Sequence, residues 1–147
     1  MRTAVLALGG NALARSDEPA TVTNQFRHAR ESVAPIVELA RQGWRIVIVH
    51  GNGPQVGDEL LRNEAARKLA EPLPLGVLVA ETAGWIGYML QQSLQNALAA
   101  ALVERDVVTV ITQTLVARYD PALTRPTKPI GHAISAAEAA SSGLSSS

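Results

Sequence analysis

The chain has 147 residues, and its 13 Lys and Arg balance 13 Asp and Glu, so the formal charge at pH 7 is zero. That balance excludes a surface built to neutralise many phosphates, and no nucleic-acid partner is expected. A hydrophobic share of 47% supports a buried core, and the lack of cysteine excludes disulfides, zinc–thiolate sites and a cysteine nucleophile. The length suits one domain or one piece of a larger one.

Thr3–Leu8 (TAVLAL) is a short apolar run that stops at two glycines, the pattern of a strand buried on both faces. This run is too short for the apolar region of a signal peptide. No stretch reaches the roughly 20 apolar residues a bilayer needs, so a cytoplasmic protein with no membrane partner is expected. Val22, Phe26, Ala29, Val33, Val37 and Ala40 recur at helical spacing. Pro35 lacks an N–H and predicts a kink or break just before it, and Gly43 predicts the helix stop. Arg45–Val49 (RIVIV) reads as a second strand. A helix is expected from about Gln55 to Ala70, with Val56, Leu60 and Leu61 on its apolar side. Glu71–Pro74 reads as a loop, because proline disfavours α geometry in the residue before it. Val77–Glu104 is a long apolar helical stretch, in which Gly84 and Gly87 are expected to permit close packing. Val107–Thr112 (VVTVIT) is rich in β-branched residues and reads as a third strand. A turn at Asp120-Pro121 and a stiff segment, Arg125–Pro129, follow. The tail from Ala133 to Ser147 is mostly Ala and Ser, and no internal repeat is visible.

Strands alternating with helices predict an α/β fold with a mainly parallel sheet. Three strands make a thin sheet. A parallel sheet needs both faces covered, so the pattern hints at part of something larger.

Gly9-Gly10-Asn11 directly follows the first strand, where ligands bind in open α/β sheets. Two glycines let a ligand approach the backbone closely, their N–H groups can form an anion nest, and Asn11 adds an amide donor. An ordinary strand-ending turn is the alternative. His50-Gly51-Asn52-Gly53-Pro54-Gln55 repeats this chemistry after the second strand, with Pro54 suited to a first helical turn. Two such loops on neighbouring strands would form one anion cradle. His50 itself is read as a packed or hydrogen-bonded histidine rather than a base. Lys128 lies between Thr127 and Pro129, with Pro126 just before. A lysine on so stiff a chain can serve as a point charge for a phosphate, against the alternative of a solvated surface lysine. The Walker pattern and the dinucleotide G-x-G-x-x-G pattern are absent. No His, Asp and Glu cluster has metal-ligand spacing, so no protein-held metal is expected and any Mg²⁺ would come with a nucleotide.

In order along the chain, LALGGNAL (6–13), IVIVHGNGPQVG (46–57), TAGWIGYMLQQSLQNAL (82–98), VVTVITQTLV (107–116) and DPALTRPTKPIG (120–131) resemble carbamate kinases, within the amino-acid-kinase superfamily. The resemblance implies a three-layer αβα sandwich with a mainly parallel sheet. It implies the reaction ATP plus carbamate giving ADP plus carbamoyl phosphate, in arginine, agmatine or purine breakdown. It places Gly9, Gly10 and Asn11 around the transferred phosphoryl group, and Gly51, Asn52 and Gly53 at the carbamate or carbamoyl end. Lys128 becomes a charge neutraliser carried by a protruding lid. The catalytic set expected is Lys128, Gly10 and Asn11. ATP or ADP with Mg²⁺ is the implied cofactor.

The family is about twice as long, and its C-terminal half carries most of the nucleotide pocket, further catalytic lysines and an aspartate. Residues 1–131 therefore read as the carbamoyl-phosphate-binding half with the start of the lid, and 132–147 as an Ala/Ser-rich tail. Little kinase activity is expected of these residues alone. The alternatives are a non-catalytic anion-binding half-domain and a nonfunctional fragment. A homodimer is consistent with the resemblance, with Trp85, Tyr88 and Met89 as interface candidates; a plain core helix is the competing reading of that stretch.

Overall fold

Two apolar runs rich in Val, Ile and Leu form the paired strands. Thr3–Leu8 forms strand β1, as expected. The short helix α1, Gly10–Leu13, follows it at once. The computed structural model of the chain describes residues 2–15, 17–127 and 130–131, with the backbone alone at 10 and 11. Lys128 and the tail at 132–147 lie outside the described residues.

Helix α2 spans Val22–Ser32, and the Thr21 hydroxyl caps it by accepting from the Asn24 N–H at 3.2 Å. The predicted break near Pro35 is present. α2 ends before Val33 and α3, Ala34–Arg41, begins with Pro35 in its first turn, where no N–H is needed. α3 closes in a Schellman motif: Trp44 N–H donates to Leu39 O at 3.1 Å, and Gly43 N–H to Ala40 O at 3.0 Å. Gly43 supplies the required left-handed turn at φ 82°. The chain then enters β2, Arg45–His50, one residue beyond the expected Val49. β1 and β2 pair in parallel, from Thr3 opposite Arg45 to Leu8 opposite His50.

The described chain forms two compact units. One holds the residues up to Asn52 together with Ala83–Val110; the other holds Gly53–Thr82 and the described residues from Ile111 onward. Helix α4 is Gly53–Ala65, and helix α5 is Leu75–Ala100.

The core of the first unit lies under one face of the strand pair. Leu6, Ile46 and Ile48 pack on Val33, Ile36, Val37 and Ala40 of the α2–α3 region and on Leu94 and Leu98 of α5. A second cluster joins Leu13, Ala29, Ile86, Met89 and Leu90, with Leu8 and Trp85 against it. Fully burying a Val, Leu, Ile or Met side chain in these clusters contributes about 1.5–3 kcal/mol. Met89 is fully buried here, so the core-helix reading of this stretch holds for it, while Tyr88 is 59% exposed.

Two expectations need correction. The strands are not covered on both faces: Val5 is 66% exposed and Val47 and Val49 are each 47% exposed. Among the described residues, helices pack on the other face alone. Val107–Thr112 is not a strand, and the sheet among the described residues has two strands. Just before this run and at its start, Val103, Arg105 and Val107 are half-buried in alternation. α5 ties it down instead of a ladder: the Gln95 amide donates to Arg105 O at 2.9 Å, and its oxygen accepts from Val107 N–H at 2.9 Å. Gly87 permits close packing as expected, since a Cβ there would lie 2.2 Å from Thr109 Cγ2.

In the second unit α4 ends at Ala65, short of the expected Ala70. The chain turns back so that Asn63 can satisfy both backbone groups of Leu73, with its amide 3.1 Å from Leu73 O and its oxygen 2.9 Å from Leu73 N. The expected Asp120-Pro121 turn is a 3₁₀ helix, Pro121–Leu123, capped by the Asp120 carboxylate accepting from Ala122 N–H at 2.8 Å.

Candidate functional site

Parallel pairing makes both strands end at the same edge of the sheet. The last register pair is Leu8 with His50, and Gly51 N–H reaches on to the Leu8 carbonyl at 3.4 Å. The turn at Gly9-Gly10-Asn11 and the turn at Gly51-Asn52 therefore leave neighbouring strands side by side. This is the carboxyl edge where open α/β sheets take their ligands.

Glycine at these turns is not explained by folding alone. A Cβ on Gly9 or on Gly51 would meet nothing within 4 Å. Neither residue has the positive φ that sets Gly43 and Gly131 apart. Packing would tolerate a side chain at both positions. What glycine leaves there is open space above the backbone, the condition for a ligand to reach main-chain N–H groups.

The first turn is short and held at both ends. Ala12 N–H donates to Gly9 O at 2.9 Å, and the Leu13 side chain, 1% exposed, anchors α1 in the core. In the second turn, His50 Nδ1 lies 3.2 Å from the Gly51 carbonyl oxygen. The His50 ring borders a hollow of about 100 Å³ with Ile48, Leu90, Gln91 and Thr109. This agrees with a packed, hydrogen-bonded histidine. Asn52 is half-buried at the end of the first unit.

Gly53 opens α4 in the second unit. Its carbonyl accepts the Gly131 N–H at 3.0 Å. A Cβ on Gly57 would lie 2.0 Å from Gly131 Cα, and Gly131 has φ +86°. The last glycine of GNGPQVG thus meets the last glycine of PTKPIG, backbone on backbone. Both segments stand out in the sequence, but neither glycine's role does. Glycines ending two separate motifs were the signal, but spacing along a chain does not report contact across it.

A hollow of about 490 Å³ lies elsewhere, lined by Gln95, Leu102, Glu104, Arg105 and Asp106 among others. Arg105 donates to the Trp44 carbonyl just before β2, so this hollow sits by the opposite end of the strands from the glycine turns. Among the described residues no three His, Cys, Asp or Glu side chains are placed to share a metal ion. Among the same residues no helix is long and apolar enough to cross a membrane.

A family profile described as the amino acid kinase family matches residues 2–140. A carbamate kinase of Escherichia coli K12 is 49% identical over 131 residues, which cover 89% of this chain and 42% of that protein. One from Pyrococcus horikoshii is 45% identical over 129 residues, 86% of this chain and 41% of the relative. The chain thus spans less than half the length of these relatives. Among solved structures, carbamate kinase from Giardia lamblia bound to citric acid superposes with a TM-score of 0.88 at 38% identity, covering 95% of this chain and 45% of that one. The same Giardia enzyme has been solved bound to AMP-PNP and gives a TM-score of 0.83.

Proposed function

The chain belongs to the amino acid kinase family, and from that premise we propose that it is the carbamoyl-phosphate-binding part of a carbamate kinase. The observation that carries this reading is the pair of glycine turns on neighbouring parallel strands, open above Gly9 and Gly51. Two turns at one edge, with open space above Gly9 and Gly51, suit a small dianion with a planar carbamoyl end.

In the direction of ATP synthesis, a terminal phosphate oxygen of ADP attacks the phosphorus of carbamoyl phosphate. The P–O bond to the carbamoyl group breaks, and carbamate leaves with the electron pair. Such a transfer depends on positioning and on charge stabilisation more than on covalent help from the protein. Gly9, Gly10 and Asn11 are assigned to the phosphoryl oxygens, and Gly51 and Asn52 to the carbamoyl end, with Gly53 opening the helix that follows. Lys128 keeps its role as charge neutraliser on the family resemblance alone. The nucleotide is ATP or ADP, as the AMP-PNP complex of the Giardia relative suggests. Mg²⁺ is assigned to the nucleotide phosphates, and no residue here is given a ligand role.

These 147 residues correspond to less than half of the relatives. We therefore expect binding of carbamoyl phosphate without turnover at a family-like rate. Calorimetry with carbamoyl phosphate, beside a coupled assay for ATP, tests both parts. Saturable heat with no ATP is the expected result. No heat would remove the binding assignment, and ATP production at the rate of a full-length relative would remove the non-catalytic one.

A further inference from the structure

The first glycine turn is short, and the segment after it, Leu13 to Thr21, carries no regular structure beyond α1 among the described residues. The polar side of α2 holds that segment. Asn24 donates to Pro19 O at 2.8 Å, and Gln25 donates to Ala20 O at 2.9 Å. Arg27 pairs with Glu18, and Glu31 with Arg15 at 3.1 Å. The two arginine pairs are exposed or half-exposed and contribute little each.

One contact differs in kind. His28 is 1% exposed, and its Nδ1 lies 2.8 Å from the Leu13 carbonyl, the last of α1. A carbonyl only accepts, so Nδ1 carries the hydrogen. The Glu18 carboxylate lies beside Nε2 at ion-pair distance but out of line for a hydrogen bond. Without His28, the Leu13 carbonyl at the foot of the glycine turn would lose its side-chain partner in the core.

We propose that His28 is the positioning residue of the first glycine turn: its imidazole fixes the end of α1, and so the placement of the N–H groups at Gly9, Gly10 and Asn11. Its effect on ligand affinity rests on the function proposed above; its effect on the turn does not. The turn is tested by amide hydrogen exchange on the whole chain. In His28→Ala, exchange at Ala12, which bonds Gly9 O, should accelerate about tenfold relative to the β1–β2 ladder amides. His28→Asn, whose amide N–H can overlie Nδ1, should restore it. Ala12 exchange that tracks the ladder in His28→Ala, or that His28→Asn leaves fast, would overturn the assignment.

A variant-free readout guards against misfolding. The wild type should show a slowly exchanging His28 ring N–H with a nuclear Overhauser contact to the Leu13–Ala14 backbone, and its absence would also overturn the assignment. For the ligand, carbamoyl phosphate should bind about tenfold more weakly to His28→Ala and regain affinity in His28→Asn. Equal affinity in all three would confine His28 to stability. Lack of binding by the wild type would instead count against the proposed function, with the exchange experiment still deciding the role of His28.

Discussion

The two faces of the β1–β2 pair are built from similar residues and have different fates. On one face Leu6, Ile46 and Ile48 rest on α3 and α5. On the other, Val5, Val47 and Val49 stay 66%, 47% and 47% exposed. Both faces carry apolar side chains: Ala4, Leu6, Leu8, Ile46 and Ile48 on the covered face, and Val5, Ala7, Val47 and Val49 beside Thr3 and Arg45 on the other. Cover separates them. A parallel strand is written for burial on both sides, and the described residues supply one helical layer. The apolar side chains on the bare face record a requirement of the family fold that this stretch of chain does not itself meet. The glycine turns lie at the ends of the paired strands.

That asymmetry can be broken by substitution, read as urea unfolding free energies. Leu98→Ala empties a site that is 2% exposed against the covered face, and should cost about 2–5 kcal/mol. A cost under about 1 kcal/mol would mean the core is not where it is drawn. Gln95→Ala removes both bonds that hold Arg105 O and Val107 N–H beside that core, and about 1–3 kcal/mol should be lost.

Leu102→Gly should act in the opposite direction. α5 closes in the same Schellman pattern as α3, with Val103 N–H on Leu98 O at 2.9 Å, but here a leucine takes the left-handed position at φ 56°. Leu102 is 91% exposed, so glycine loses no packing, and a gain of about 0.5–1 kcal/mol is expected from relief of the backbone strain. Unchanged or lowered stability would show that the strain is not there. The smallest change belongs to the bare face: Val47→Thr should stay within about 0.5 kcal/mol. A loss comparable to that of Leu98→Ala would show that something covers this face in solution.

Much of the fold was legible because local rules decide it. Pro35 sets the α2–α3 break, Gly43 the α3 stop, and the two apolar runs the paired strands. The third strand was not legible as such. β-branched alternation in Val107–Thr112 reports which way side chains point, not which backbone will pair, and Gln95 of α5 took the hydrogen bonds a neighbouring strand would make. The end of α4 moved because Asn63 recruits Leu73, a contact with no pattern of its own. At the site, the glycine turns stood out by composition and strand placement. Two features did not: the Gly57–Gly131 contact and the His28 bond to a main-chain carbonyl. Each is a relation in space between residues that look ordinary in the chain.

We propose that the two turns form one anion site. This is tested most directly by following the backbone amide signals during titration with carbamoyl phosphate. Saturable shifts are expected at Gly9, Gly10, Asn11, Gly51 and Asn52, with one shared dissociation constant. Silence at those amides, or shifts confined to the hollow around Gln95–Asp106, would contradict it.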